Sequence, residues 1–283
     1  MTERATAKMR RAVGLRNESE QARKEICMPD ERIDVPYPAA DDLHLRIVLG
    51  ACSFEGKPGE AQSWVAGTCH DPTDRRGPRI LTEGGTATIT EEKPSVERIP
   101  DVFGGVPLYK VECGKRRAFA LTIETGASEF DFDLGDVPLK ALKVRQGAGR
   151  FNLNFSTLNP EPMSLLEVSS GAAGIELRNL SNAHFSQMRL RGGAAGCRLD
   201  FGGELRRDAE VTIEAGLSGV EIAVPGSTAA KIVAETALGS VDVGDGFTKR
   251  EGAFLTEACL AGKKPLLTIR AGVRMGALQI KAT

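Results

Sequence analysis

Cys69, His70 and Asp71 stand side by side in the chain, and thiolate, imidazole and carboxylate are all metal ligands. Neighbouring residues of an extended chain point to opposite faces, so three in a row seldom meet at one ion. The stretch reads as an incidental loop. A second candidate is the pair Glu221 and Asp242, whose carboxylates would hold a hard cation if the fold stacked them outward on adjacent layers. The other histidines are His44 and His184. His184 reads as a surface or half-buried imidazole, not a general base. No G-x-S-x-G, H-E-x-x-H or phosphate-loop pattern occurs. The glycine-rich run from Arg191 through Gly192 and Gly193 to Gly196 is not followed by a helical pattern, so it does not cradle a phosphate. The sequence therefore assigns no catalytic residue and no cofactor, and offers Glu221, Asp242, Cys69, His70 and Asp71 only as weak metal candidates.

The elements that would position these groups show in the composition. Of 283 residues, 41% are hydrophobic, 5% aromatic and 32 are glycine. An aliphatic core turned at many tight corners fits that mixture, as stacked β-structure requires. A formal net charge of −1 gives no general attraction to nucleic acid or anionic lipid. No apolar run reaches the ~20 residues that span a bilayer. Residues 1–29 alternate charges and have no signal-peptide core, which places the protein in the cytoplasm. Its six cysteines, none in a C-x-x-C pair, are then expected reduced and mostly buried.

Aligned on a corner at Gly126, Gly147, Gly171, Gly193, Gly216, Ala237 and Arg274, the chain repeats about every 22 residues, apart from one longer step that holds an insertion at 246–264. Five before the corner stand Leu121, Leu142, Leu166, Met188, Val211, Ile232 and Ile269. Three before it stand Ile123, Val144, Val168, Leu190, Ile213, Ala234 and Ala271. Four after it come Phe130, Phe151, Ile175, Cys197, Val220, Val241 and Leu278, and six after it Phe132, Leu153, Leu177, Leu199, Ile222, Val243 and Ile280. Between the last two columns the residue is polar every time, from Asp131 to Gln279.

Alternation on both sides of a small residue means two short strands meeting at a bend. Glycine suits the bend through its access to positive φ. One such rung cannot bury its apolar face alone; parallel neighbours ~4.8 Å away complete it. The expected fold is all-β, a single-chain parallel β-solenoid over 119–283. An antiparallel sandwich or barrel is the alternative, disfavoured because the in–out register does not mirror from one repeat to the next.

Toward the N-terminus the pattern weakens. Leu45, Ile47, Gly50 and Phe54 match, but Gly56 falls in the last apolar column. Residues 43–118 read as degenerate rungs or a separate β-cap. Residues 1–42 read as a tail with a short helix through Ala5, Met9 and Val13.

The segment VTIEAGLSGVEIAVPGSTAAKIVAETALGSVDVGDG, and within it Val224-Pro225 followed by the strand 234–243, resembles the bacterial toast-rack domains. These are β-solenoids of adhesin-type proteins and of the C-terminus of cell-wall-active antibiotic response proteins. Bactofilins are more distant in style, with shorter rungs. The resemblance spans roughly 43–280 and implies a bacterial origin, a right-handed solenoid, a role in self-assembly or sensing scaffolds, and no cofactor or catalytic residue. The membrane-spanning helices of the envelope-response members have no counterpart in this sequence, which counts against membrane signalling.

The functional expectation is a non-enzymatic structural or protein-interaction scaffold, self-associating through a solenoid end. The final apolar column lies at the C-terminus, so its edge needs covering by the insertion or by another protomer. Two alternatives stand beside it. One is an enzyme or small-ligand binder with a site in the irregular N-terminal half, at 64–71 and 103–110. The other is a cell-wall or carbohydrate binder, which would need exposed aromatics where the repeat puts Phe130, Phe132 and Phe151 inside.

Overall fold

The structure, a computed structural model, describes residues 30–60, 62–72, 78–91, 105–194 and 196–283. The helix expected near Ala5, Met9 and Val13 lies outside them.

Three long strands carry the motif in its plainest form: β8 (Phe119–Asp133), β9 (Leu139–Asn154) and β10 (Met163–Arg178). Each runs through the bend. They pair in parallel, with Leu121 on Leu142 on Leu166 and Phe130 on Phe151 on Ile175. The next rungs break at the bend into two arms, β11 (Phe185–Gly192) with β12 (Cys197–Asp200), and β13 (Ala209–Leu217) with β14 (Val220–Val224). Side chains of all four apolar columns in β8–β14 are at most 4% exposed. Each such burial contributes roughly 1.5–3 kcal/mol before chain entropy is subtracted.

The N-terminal part consists of rungs interrupted by excursions. Arms β2 (His44–Leu49) and β3 (Cys52–Gly59) pair in parallel with β8, matching Leu45 to Leu121 and Phe54 to Phe130. A further layer is made by β6 (Thr86–Thr90) on β2 and β7 (Leu108–Gly114) on β3. The rings of Tyr109, Phe54, Phe130 and Phe151 form a pile inside the second face, with Phe54 and Phe130 parallel at 4.4 Å. Gly56 departs from the apolar column for a packing reason: a Cβ there would enter the ring of Phe132.

The stack is not in sequence order at its C-terminal end. The chain goes from β14 to β15 (Ala229–Val243), makes the hairpin β16 (Phe247–Arg250) and β17 (Ala253–Thr256) and a short helix α1 (Glu257–Leu260), and then returns as β18 (Leu266–Ala282). β18 lies between β13–β14 and β15, pairing in parallel with both. It is held there at its end, where Thr283 N donates to Val224 O, Gly226 N donates to Thr283 O, and Lys281 Nζ lies 3.1 Å from Glu221. The terminal rung is therefore β15, not the C-terminal strand that the linear repeat suggests.

The corner glycines also differ from expectation. Gly126, Gly147, Gly171, Gly193 and Gly216 do not have positive φ; that conformation falls two positions on, at Gly149, Gly239 and Gly276. What the corner column requires is close approach. A Cβ on Gly147 would stand 2.8 Å from Gly126 O, and one on Gly171 2.6 Å from Gly147 O. Successive bends stack backbone on backbone.

The third side of the prism is irregular but ordered, with Leu134, Val137, Phe155, Leu180 and Phe201 buried inside it. Asn159, fully buried, donates through Nδ2 to Leu139 O and Ala183 O and accepts at Oδ1 from Leu139 N and Glu161 N. Asn182 Nδ2 donates to Phe155 O, and Asn179 Nδ2 to Asn154 Oδ1. These amides tie successive turns together where no β-ladder exists.

Candidate functional site

The outward column of the second face follows the spatial order Asp131, Asn152, Glu176, Arg198, Glu221, Gln279, Asp242. Because β18 intervenes, Gln279 separates Glu221 from Asp242, and the expected adjacent carboxylate pair does not form. Glu221 instead sits between cations, 3.1 Å from Lys281 Nζ and 3.5 Å from an Arg198 nitrogen. The hydrogen bond from Lys281, then the charge of Arg198, hold its carboxyl below the usual glutamate value. Asp242 accepts from its neighbour Ser240 at 3.2 Å.

Cys69 and His70 are on β4 (Val65–His70), and strand alternation separates them. Cys69 is buried beside Tyr109, and burial pushes its thiol to about 11. His70 is half-buried and its Nδ1 lies 3.0 Å from Asp30. Asp71 follows the strand's end. Among the described residues no group of three or more His, Cys, Asp and Glu is placed to hold a metal. His44 meets the Thr122 hydroxyl at 2.8 Å, and His184 faces the carbonyl of Asn159 at 3.3 Å.

In the N-terminal half Trp64 is fully buried, stacked on Tyr37 at 6.0 Å and edge-on to Phe119. It opens onto no pocket among those described. The groove nearby, about 660 Å³, is lined by Glu55, Lys57, Lys110, Glu112, Asp131 and Asp133 among others; its lysines are paired, Lys57 with Glu112 and Lys110 with Glu55. Phe103 lies outside the described residues.

The two ends of the stack are unlike. At the N-terminal end β6 is covered by β5 (Arg79–Glu83), β7 by β4, and β4 in turn by β1 (Glu31–Val35). All three coverings are antiparallel. At the other end β17 covers β15 only at Lys231 and Ile232, anchored by Thr256, whose Oγ1 accepts from Ala230 N and donates to Thr228 O. Past the bend, residues 238–243 of β15 pair, among the described residues, with β18 alone. Val241 and Val243 are half-exposed there, although their column mates Leu278 and Ile280 are fully buried.

The family model described as the N-terminal domain of toast_rack, DUF2154, matches residues 17–161, just over half of the chain and everything from β1 through β9. The chain belongs to the toast-rack family. No curated protein sequence matches it. Among solved structures, the toast-rack chain is similar to a candidate cell adhesion protein from Clostridium sporogenes, with 17% identity, a TM-score of 0.48, and coverage of 90% of this chain and 99% of that one. It is also similar to a candidate adhesin from Bacteroides fragilis, with 8% identity, a TM-score of 0.40, and coverage of 90% and 96%.

For this toast-rack chain, sequence reasoning found the stacked columns but missed the open arm of β15. A signal was there: residues 232–248 contain no lysine, arginine or proline, the residues that ordinarily guard a sheet edge. Among the described residues no helix is long and apolar enough to cross a membrane.

Proposed function

We propose that this toast-rack chain is a non-enzymatic scaffold that holds another polypeptide along the uncovered arm of β15. One observation carries the reading. The stack is finished with antiparallel strands at one end and over half of the other, while residues 238–243 keep an edge that is free among the described residues, beside half-exposed Val241 and Val243. An unpaired edge offers backbone N–H and C=O groups to any extended chain, and adding a strand is a standard mode of recognition. The rest of the prism is a rigid support in which each rung is fixed by its neighbours.

A photo-crosslinking residue at Ser240, on the exposed edge, tests this in the producing bacterium; Arg178, exposed on a side face of the prism, is the control position. The expected result is a polypeptide adduct from Ser240 and none from Arg178. Adducts from neither position, or equally from both, would remove the scaffold reading.

A further inference from the structure

The open arm carries enough chemistry to narrow its occupant, an inference that rests on the scaffold reading above. Its one charged residue is Asp242, flanked in the chain by Glu235 before the bend and Asp245 after the strand. Glu235, Asp242 and Asp245 are exposed, and none of them joins an ion pair among the described residues. Past the bend the nearby lysines are engaged elsewhere, Lys281 with Glu221 and Lys249 over the ring of Phe254 at 5.4 Å; Arg274 stands at the bend itself, in one groove with Glu235 and Ala237. Asp242 faces only the neutral Gln279 across the ladder.

The apolar side of the arm is equally specific. Val241 and Val243 continue columns whose members on β14 and β18, from Val220 and Ile222 to Leu278 and Ile280, are at most 2% exposed. At the bend, Leu217, Met275 and Leu238 lie in register on β13, β18 and β15, and are 59%, 47% and 63% exposed. This apolar stripe runs across three strands to the same free edge. One more strand with apolar residues at alternate positions would cover Val241 and Val243 and extend the stripe.

We propose that residues 238–243 take up an extended segment of another protein, with apolar side chains facing the prism at alternate positions and lysine or arginine between them facing Asp242 and Asp245. Charge complementarity selects this occupant. A second copy of the arm would set its own Asp242 and Asp245 against the same two carboxylates, and like charges brought together oppose the pairing.

Two short synthetic peptides test the proposal against the full chain by fluorescence anisotropy at low salt, one alternating Val with Lys and the other Val with Glu. The lysine peptide is expected to bind about fivefold tighter or better, to weaken as salt rises, and to slow hydrogen exchange at 238–243. The double variant Asp242→Lys, Asp245→Lys should reverse the preference, and both positions are exposed, so an unchanged thermal melt confirms that it folds. Equal affinity for the two peptides, a preference untouched by the double variant, or protection elsewhere overturns the proposal. So does a dimer in light scattering that the lysine peptide fails to dissociate, because it would seat a second copy on the arm. Adducts at Ser240 without any peptide preference would leave the scaffold reading standing and remove this one. A charge-selective peptide without adducts at Ser240 would do the reverse.

Discussion

A Cβ placed on Gly216 would stand 2.6 Å from the carbonyl oxygen of Gly193, the residue stacked directly beneath it at the bend. Three residues on, a Cβ on Gly219 would meet nothing within 4 Å. Gly216→Ala must push two rungs apart and is expected to cost about 1–3 kcal/mol. Gly219→Ala only stiffens the unfolded chain, and is expected to be neutral or to stabilise by about 0.4–1 kcal/mol. Chemical denaturation of the two variants separates them. Equal effects would show that glycine at the corner is a matter of turn propensity and not of stacking.

The apolar columns were legible in the sequence because parallel in-register pairing puts residues a repeat apart on top of one another, and strand side chains facing the interior have no polar partners there. The order of the rungs was not. β15 and β18 carry equivalent columns, with Ile232 matching Ile269 and Val243 matching Ile280, so the pattern fits either order. Contacts that no periodicity encodes decide it: Lys281 on Glu221, and Thr283 on Val224. That same inversion undid the Glu221–Asp242 pair and moved the free edge to β15. The amides of Asn159 and Asn182 were equally hidden, since a buried asparagine and a solvated one look alike in a loop.

Asn159 shows what those amides contribute. It is fully buried and has partners on both its oxygen and its nitrogen, drawn from the backbone at Leu139, Glu161 and Ala183. Asn159→Ala leaves several buried backbone groups without partners and is expected to destabilise by about 2–3 kcal/mol. Local hydrogen exchange should rise first at Leu139, whose N–H loses its acceptor. A loss below about 0.5 kcal/mol in urea unfolding would mean that water replaces the amide without cost.

The cysteines should divide by depth. Burial raises the Cys52 and Cys113 thiols to about 12 and those of Cys69 and Cys197 to about 11, so at neutral pH all four are protonated and enclosed. Cys259 is half-buried. In a Cys27→Ser background, native protein should consume one equivalent of an alkylating reagent, at Cys259, and the remaining thiols only on unfolding. Peptide mapping after a short pulse checks this. Early labelling of Cys52 or Cys69 would indicate that the N-terminal layers open far more readily than their packing suggests.

Glu221 links the last correctly ordered rung to the inserted strand, and its titration should report that junction. Lys281 and Arg198 hold the folded carboxyl below its ordinary value of 4.5, so on acidification the unfolded chain takes up this proton before the folded chain does. The stability that Glu221 contributes is therefore complete above about pH 4.5 and is lost as the pH falls through its lower folded value. The side chain is 26% exposed and the pair lies at the surface, which limits the contribution to about 1 kcal/mol or less. Glu221→Gln should lower stability at neutral pH by that amount and flatten the fall between pH 5 and the acid transition, as read from urea midpoints across pH. Lys281→Met should do the same, with increased hydrogen exchange near residues 279–283, because β18 is pinned to β14 from that end. If both variants kept the wild-type acid profile, the ion pair would have no part in fixing β18 between β14 and β15, and the backbone bonds of Thr283 would hold it alone.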